Sequence, residues 1–405
     1  MNVPSIHRRG FLGLVAASAV AGCTGRFAGD DEDTSPAERR VSTDYHPGSD
    51  EWICPTRSFA NDVVSPSATP PRDEPGERWS AEKYGSVLRI AVADGVVFAG
   101  GWEGVEARRL DDGSAIWSEE GKESVAAVVD GRCYAIEDDA LVARNAESGD
   151  VEWRHESARF VRSVLEVDGT VYYTAGGDLH GLHADTGDRR WTVDGEGRGG
   201  SLALADGQLH WVTPADYRIF APNGGERPEE RTTLSLGGVD PVTEPTAPAV
   251  VDDTIALGGW ASDRGPAPVR SATRRGIVWQ RPFEPAVNTP AVLEDRLLAT
   301  GYDNGASALD ESTVAALDPE TGDPIWKTTV PEPVGPPAVA DGVIYAGGAH
   351  PSDPSDETGH LFAIDVETGD VLWELDTDGS FAGHPLALVD DVVVLGTKRG
   401  VVVLE

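Results

Sequence analysis

Three acidic side chains close together in the sequence are the first candidates for metal chemistry. Asp353, Asp356 and Glu357 lie within one five-residue stretch, and hard cations such as Ca²⁺ bind through several oxygen ligands. A cation held by these carboxylates is one interpretation, and solvated surface acids are the other. His180 and His183 are three residues apart on a predicted strand, so they face opposite sides and do not easily share a metal.

The sequence lacks the common motifs of phosphoryl and covalent chemistry. The glycine-rich stretch 197–200 is without the Lys-Ser/Thr pair of a phosphate-binding loop and without a following helix. No Gly-x-Ser-x-Gly sequence marks a nucleophile elbow. Cys54 and Cys133 could form a disulfide in an exported protein, but their pairing stays open at this point. We therefore expect a protein without a catalytic centre.

The charge of the chain excludes one class of partner. Its 405 residues include 69 acidic and 33 basic side chains, a formal charge of −36. A surface this negative repels phosphate backbones, so we expect no nucleic-acid partner. Only four of the basic residues are Lys. Acid-rich, Lys-poor chains resemble those of salt-loving archaea, where salt screens the self-repulsion; a merely acidic protein is the alternative.

Residues 1–23 resemble a twin-arginine lipoprotein signal peptide. Arg8 and Arg9 precede a short apolar run, Leu12–Gly22, that is too short to span a bilayer as a mature helix. The run ends at Cys23, which follows Val-Ala-Gly as in a lipobox and is the predicted lipid attachment site. Because one lipid chain binds only marginally, we expect a diacylated Cys23. The predicted location is the outer face of the cytoplasmic membrane.

Residues 24–75 are predicted to be a tether. They contain the acidic run Asp30–Asp33 and are rich in Pro, Ser and Thr, so little of this segment could bury a core. We expect most of it to be mobile. Trp52 and Phe59 are the exceptions, since their rings could pack against the folded body.

From residue 76 the chain is an internal repeat. A small apolar strand with an acidic turn opens each unit, and eight such openings follow one another at about the spacing of a four-stranded propeller blade. Their turns lie at Asp94, Asp130, Asp168, Asp206, Asp252, Glu294, Asp341 and Asp390. A second turn, best seen in Ala363–Trp373, has the form Asp-x-x-Thr-Gly followed four residues later by Trp. The Gly suits a left-handed turn, and the Trp indicates a repeated packing contact.

The two ends of the repeat predict a closed ring. The last unit stops at Glu405 after its third strand, while the Trp79 strand (residues 77–82) has no preceding strands of its own. We therefore predict an all-β, eight-bladed propeller of four-stranded antiparallel blades, closed by the Trp79 strand, because closure removes open sheet edges; seven blades is the fallback. The predicted blade-docking residues are Trp79, Trp117, Trp153, Trp191, Trp279, Trp326 and Trp373. The fourth blade has Glu229 in place of Trp, so we expect it to pack least well or to meet a partner.

The repeat resembles the PQQ-like β-propeller family, which includes quinoprotein alcohol dehydrogenases and the outer-membrane assembly lipoprotein BamB. The resemblance covers residues 76–405 and is carried by the Ala-x-Asp-x-x-Thr-Gly-x-x-x-Trp unit, nearly complete at Ala316–Trp326 and Ala363–Trp373. It implies that the Trp rings dock between neighbouring blades. The repeat itself is structural and does not specify catalysis.

The resemblance also raises the possibility of PQQ and calcium. Quinoproteins of this family carry adjacent cysteines, a calcium held by Glu and Asn, and a catalytic Asp. Here Cys54 and Cys133 are not adjacent, no such calcium set is evident, and no haem-binding Cys-x-x-Cys-His occurs. We expect neither cofactor, and a PQQ- and calcium-dependent alcohol or sugar dehydrogenase remains the alternative function.

Insertions in blades five to seven are the predicted partner-binding region. They span residues 260–271, 302–313 and 349–360, between the second and third strands of adjacent blades. Loops of this kind on a rigid scaffold commonly carry function. The candidate contact residues are Trp260, Arg264, Arg270, Tyr302, Asp303, Asn304, His350 and His360. The alternative is that these insertions have no function and are merely tolerated in surface loops. The sequence thus favours a monomeric, non-catalytic scaffold for envelope or membrane proteins.

Overall fold

A computed structural model gives the fold of the chain. It describes residues 45–82, 86–138, 140–157, 161–195, 200–236, 242–261, 266–302, 311–349, 358–378 and 386–405. All of them belong to one compact unit, Arg39–Glu405. These residues form strands and no helix, so no described helix could cross a membrane. The fold is all-β, as predicted.

The strands pair in sequence order into antiparallel four-stranded groups, the architecture of propeller blades. The first two groups join at one residue pair into an eight-stranded sheet: β3 (Val87–Ala93), β4 (Val96–Gly101), β5 (Gly104–Arg109), β6 (Ala115–Glu120), β7 (Glu123–Val129), β8 (Arg132–Glu137), β9 (Ala140–Asn145) and β10 (Val151–Glu156). Two separate sheets follow: β11 (Val161–Val167), β12 (Thr170–Ala175), β13 (Asp178–His183) and β14 (Arg189–Val193), then β15 (Ser201–Ala205), β16 (Gln208–Val212), β17 (Asp216–Asn223) and β18 (Glu226–Ser235).

The second half repeats the pattern with additions. One plain group is β20 (Ala249–Val251), β21 (Thr254–Leu257), β23 (Pro268–Thr273) and β24 (Gly276–Pro282). The next gains three short strands: β19 (Val242–Pro245), β22 (Gly259–Ala261) and β25 (Ala286–Val287), with β26 (Ala291–Val292), β27 (Leu297–Tyr302), β28 (Ser312–Leu317) and β29 (Pro324–Val330). Another holds β1 (Val64–Ser65) beside β30 (Ala338–Ala340), β31 (Val343–Ala349), β32 (Thr358–Asp365) and β33 (Val371–Asp378).

The remaining sheet combines the two ends of the repeat. It contains β2 (Glu77–Glu82), β36 (Gly400–Leu404), β35 (Val392–Gly396) and β34 (Leu386–Val389) in that order. Trp79 pairs with Val403, and Gly76 and Glu405 exchange two backbone hydrogen bonds of 3.0 and 2.9 Å. The strand that begins the repeat therefore lies beside the strand that ends it.

The residue types at the opening turns explain their backbone conformation. In seven of the eight openings the acidic turn residue has a φ near +50°, and in most of them a Gly with positive φ follows. Two successive left-handed residues make the tight hairpin turn whose twist matches that of the strands, which is why Asp-Gly recurs there.

Tryptophan side chains join most of the groups to the next one. All seven predicted docking tryptophans donate their indole N–H to a backbone carbonyl of another group or of the N-terminal segment, at 2.6–3.2 Å. Five of the rings lie against the turn Gly of the following group. A Cβ added to that Gly would lie only 2.5–2.7 Å from the nearest atom of the ring. Glycine is required there because only it leaves room for the ring.

The group β15–β18 has no tryptophan on its last strand. Glu229 lies in β18, where it pairs with Ala221, and most side chains of this strand are exposed. The group nevertheless holds a fully buried ring, Trp211, on its second strand. Arg218 lies 5.1 Å from that ring and pairs with Glu230. This group is thus packed through a different tryptophan.

Residues 45–75 differ from the mobile tether expected for residues 24–75. Trp52, Ile53 and Phe59 are buried. The segment hydrogen-bonds to the opening strands of five groups through backbone atoms of Trp52, Ile53, Phe59, Ala60 and Val63, and Thr69 donates to the carbonyl of Asp390 in the turn after a sixth. One edge of each opening strand is not covered by a strand of its own group. The extended segment of residues 45–75 supplies hydrogen-bond partners to backbone groups on that edge. Residues 24–44, and the signal peptide with Cys23, lie outside the described residues.

Candidate functional site

The described partner-contact candidates occupy different environments. Trp260 lies in β22 with 43% of its surface exposed, whereas Tyr302 at the end of β27 and His360 in β32 are half-buried. Arg270 is buried in β23 and donates from Nε to Gln280 at 3.0 Å. Its side chain is therefore not displayed at the surface of the described structure, and its role as a partner contact stays a prediction. Arg264, Asp303, Asn304 and His350 lie outside the described residues, as do the metal candidates Asp353, Asp356 and Glu357.

Trp260 is held in place by backbone pairing on both sides. Its strand β22 is part of the first insertion and pairs with β19 on one side and β25 on the other, with Trp260 opposite Glu244 and Ala286. Gly258 allows this close approach, since a Cβ there would lie 2.4 Å from the carbonyl oxygen of Asn288. The Trp260 side chain therefore projects from a strand that is paired on both sides.

A cavity of about 430 Å³ lies beside Trp260, which lines it and forms part of its rim. The other lining residues come from the starts of several opening strands and from the connections that precede them. They include Arg89, Arg162, Ser163, Ser201, Thr246 and Asn288. Among the described residues that line it there is no Asp, Glu or His. In a chain of charge −36, this cavity is locally basic.

Arg89 is the cation that defines the chemistry of the cavity. Burial lowers the pKa of its guanidinium, and the positive charge of Arg162 lowers it further. No ion pair joins Arg89 to a carboxylate in the part of the chain that the structure describes. Since a partly desolvated cation is stabilised by an opposite charge, the cavity is suited to a carboxylate or another anion.

The N-terminal segment forms one wall of the cavity through Cys54, Thr56, Phe59 and Asn61. The buried amide of Asn61 donates to the carbonyls of Leu202 and Pro248 at 2.8 and 3.1 Å, which ties the segment to two groups of strands. The cavity is therefore shaped by residues that sequence reasoning assigned to a tether.

The two cysteines do not act on this site. Cys54 and Cys133 are both buried free thiols, so the disulfide left open by the sequence does not form. Burial raises the pKa of Cys54 to about 11 and that of Cys133 to about 12. Because the thiolate is the reactive form, neither is a nucleophile at neutral pH.

The cavity lining does not fit a calcium-bound quinone cofactor. Calcium takes six to eight oxygen ligands, usually with carboxylates among them, and the described lining offers only neutral oxygens beside two guanidinium groups. These cations would repel Ca²⁺. No catalytic step through PQQ is derived from this arrangement.

Sequence reasoning missed Arg89 and Arg162, although a signal was present. Each lies near the start of an opening strand, five residues before Asp94 and six before Asp168 respectively. The repeat brings the starts of the opening strands together, so two arginines within one residue of equivalent positions predict a shared basic patch. Repeat alignment of the non-apolar positions would have found them.

Solved structures of known proteins share this fold. BamB from Moraxella catarrhalis matches with a TM-score of 0.62 and 17% identity, over 82% of this chain and 99% of that one. Quinohemoprotein alcohol dehydrogenase from Comamonas testosteroni matches at 0.67 and 14%, over 88% and 80%. Sqt1 from Saccharomyces cerevisiae matches at 0.61 and 9%, over 82% and 98%. At these identities the likeness shows the fold alone. No curated protein matches the chain.

The sequence pattern of one protein family matches the repeat itself. The match covers residues 111–227 and 269–405, well over half of the chain. It includes five of the tryptophans whose indoles join one group of strands to the next, Trp117, Trp153, Trp191, Trp279 and Trp326, and also Trp373. The chain belongs to the family described as outer membrane protein assembly factor BamB.

Proposed function

We propose that the chain is a non-catalytic scaffold that docks other proteins of the cell envelope, in the manner that its family description suggests. The observation that carries this proposal is the locally basic cavity with the exposed Trp260 at its rim, on a strongly acidic protein. An aromatic anchor beside a cation is a combination enriched at protein interfaces. The partner suited to it is an envelope or membrane protein that presents a carboxylate-bearing segment.

The proposal includes a closed ring of eight blades. It is supported by the pairing of β2 with β36 and by the indole of Trp373, which donates at 2.9 Å to the carbonyl of Arg72 in the segment that leads into β2. Each four-stranded group then has a neighbour on both sides. A closed, edge-free body is a rigid base on which to display a docking face.

The proposal also includes a lipid anchor that holds the protein at the membrane. The lipobox at Cys23 and the twin-arginine sequence at Arg8 and Arg9 support export in the folded state and lipid attachment at the outer face of the cytoplasmic membrane. The acidic, Lys-poor composition supports a haloarchaeal source. Such a cell has no outer membrane, so only the docking mode of the family is proposed here, for a monomeric protein.

A binding experiment separates the scaffold from the dehydrogenase alternative. Purified mature protein is titrated with PQQ in the presence of Ca²⁺ at high salt, and dye-linked oxidation of alcohols and sugars is measured. We expect no stoichiometric complex and no turnover. One equivalent of bound PQQ together with turnover would overturn the scaffold proposal.

A second experiment tests the docking face itself. The lipidated protein is purified from detergent-solubilised membranes as wild type, Trp260→Ala and Arg89→Ala, with Val278→Ala as the matched control. Val278 is an apolar residue with 51% exposure that does not line the cavity. We expect an envelope protein that co-purifies with wild type and control and is depleted at least tenfold by the two cavity variants. Equal recovery from all four would contradict the proposed face.

A further inference from the structure

We propose that His360, Glu374 and Asp376 bind one divalent transition-metal ion, of which Zn²⁺ is the best fit. One imidazole nitrogen and two carboxylate oxygens of these residues all lie within 4.8 Å of one another. This site is separate from the basic cavity, none of whose lining residues it shares, and it does not depend on the docking function.

The register of two strands brings the three ligands together. In the antiparallel pair of β32 and β33, His360 lies directly opposite Asp376, and Phe362 lies opposite Glu374. Side chains two residues apart on a strand point to the same face. Glu374 and Asp376 therefore share the face on which His360 stands, and the sheet fixes their spacing.

A buried carboxylate from the connection between β29 and β30 orients the imidazole. Nδ1 of His360 lies 2.5 Å from Oε1 of Glu332, which is 2% exposed. Gly348 makes room for this glutamate, since a Cβ there would lie 3.2 Å from its side chain. A histidine whose second nitrogen donates to a carboxylate is the usual arrangement at protein metal sites, because the carboxylate fixes the ring orientation and strengthens the ligand.

The other ring nitrogen then faces negative charge. Nε2 of His360 lies 3.1 Å from Oδ1 of Asp376, with Glu374 beside them. A nitrogen lone pair that faces two carboxylates is repelled unless a proton or a metal ion lies between them. The arrangement therefore calls for a cation, and the mixed nitrogen and oxygen ligands favour a transition metal.

The ligand types decide among metals. Calcium and magnesium prefer oxygen ligands only, whereas Zn²⁺ readily takes imidazole nitrogen with carboxylate oxygen at four-coordinate sites. Three protein ligands leave one position of a tetrahedral site open to water. Glu374 and Asp376 are exposed, so the ion can enter from solvent.

The test uses the full mature chain after chelator treatment. Zn²⁺ is titrated by competition with a chromophoric chelator at pH 7.5, and Co²⁺ is added separately because its visible absorption reports its ligand geometry. The variants are His360→Gln, Asp376→Asn and Glu332→Gln. The matched control is Asp370→Asn, an exposed acid in the turn that precedes β33.

We expect one tight equivalent of Zn²⁺ in wild type and control, and a tetrahedral Co²⁺ spectrum. The affinity should fall about 10- to 100-fold in Glu332→Gln, which acts through His360 as a positioning residue, and further in the two ligand variants. Thermal unfolding of each variant checks that it is folded.

Two results would overturn the site. One is a wild-type affinity no higher than that of His360→Gln, which would mean that scattered surface acids bind the metal. The other is an octahedral Co²⁺ spectrum that is the same in all variants. Either outcome would leave His360 as a residue that only hydrogen-bonds to the neighbouring carboxylates.

Discussion

Replacing Gly187 by Ala measures the contact between one tryptophan and the next group of strands. Gly187 has a φ of +71°, and a Cβ added there would lie 2.6 Å from Cε3 of the buried Trp153. Gly131 is the matched control, because its φ is +70° and a Cβ added there would meet nothing within 4 Å. The two substitutions share the backbone strain and differ in the clash.

The expected energies follow from these two terms. A left-handed conformation costs an L-residue roughly 1–2 kcal/mol, and both variants carry this cost. Overpacking a tight contact adds about 1–3 kcal/mol, and only Gly187→Ala carries it. The free energy of unfolding should therefore fall about 1–3 kcal/mol further in Gly187→Ala than in Gly131→Ala.

Urea denaturation at constant high salt, followed by tryptophan fluorescence, measures this difference. In a Trp153→Leu background the excess cost of Gly187→Ala should shrink to the level of the control, because the ring it strikes is gone. Equal destabilisation by the two glycine substitutions in the wild-type background would refute the docking geometry.

Three further predictions concern the body of the fold. Asn61→Ala leaves two buried carbonyls without their donor and should cost about 2–4 kcal/mol in urea denaturation; an unchanged midpoint would show that residues 45–75 do not pack as described. Burial lowers the pKa of His210 to about 4, below its unfolded value of about 6.5, so stability is present above pH 6.5 and is lost as the pH falls towards 4, by about 3 kcal/mol. His210→Gln should flatten that part of the profile, and an unaltered profile would contradict the assignment. Trp79→Ala at the junction of β2 and β36 should cost about 3–5 kcal/mol, while Trp102→Ala, at a residue 54% exposed, should cost under about 0.5 kcal/mol; similar losses would contradict a structural role for the β2 strand.

The repeat was predictable because its signals are local. A Gly followed four residues later by Trp sets a turn and a ring within one short stretch, and the positions of these rings in successive units then follow from the period. The acidic turns are equally local, since Asp and Gly adopt the left-handed conformation more readily than other residues.

The path of residues 45–75 across the strands could not be predicted from local sequence signals. This segment has no periodic pattern, and it is held by backbone hydrogen bonds to strands far away in the sequence, such as that of Ala60 with Val250. The burial of Arg270 and the meeting of Arg89 with Arg162 are likewise tertiary. Composition predicted a tether because it reports side-chain polarity and carries no information on which backbone groups need a partner.

An aromatic photo-crosslinking amino acid that replaces Trp260 and keeps a ring at the cavity, introduced in living cells, tests the docking proposal most directly. The same amino acid at position 278, where the native side chain is 51% exposed against 43% at position 260 and does not line the cavity, is the reference. The account predicts one discrete adduct with an envelope protein from position 260, weakened by Arg89→Ala, and none from position 278. No adduct at 260, or the same adducts from both positions, would contradict it.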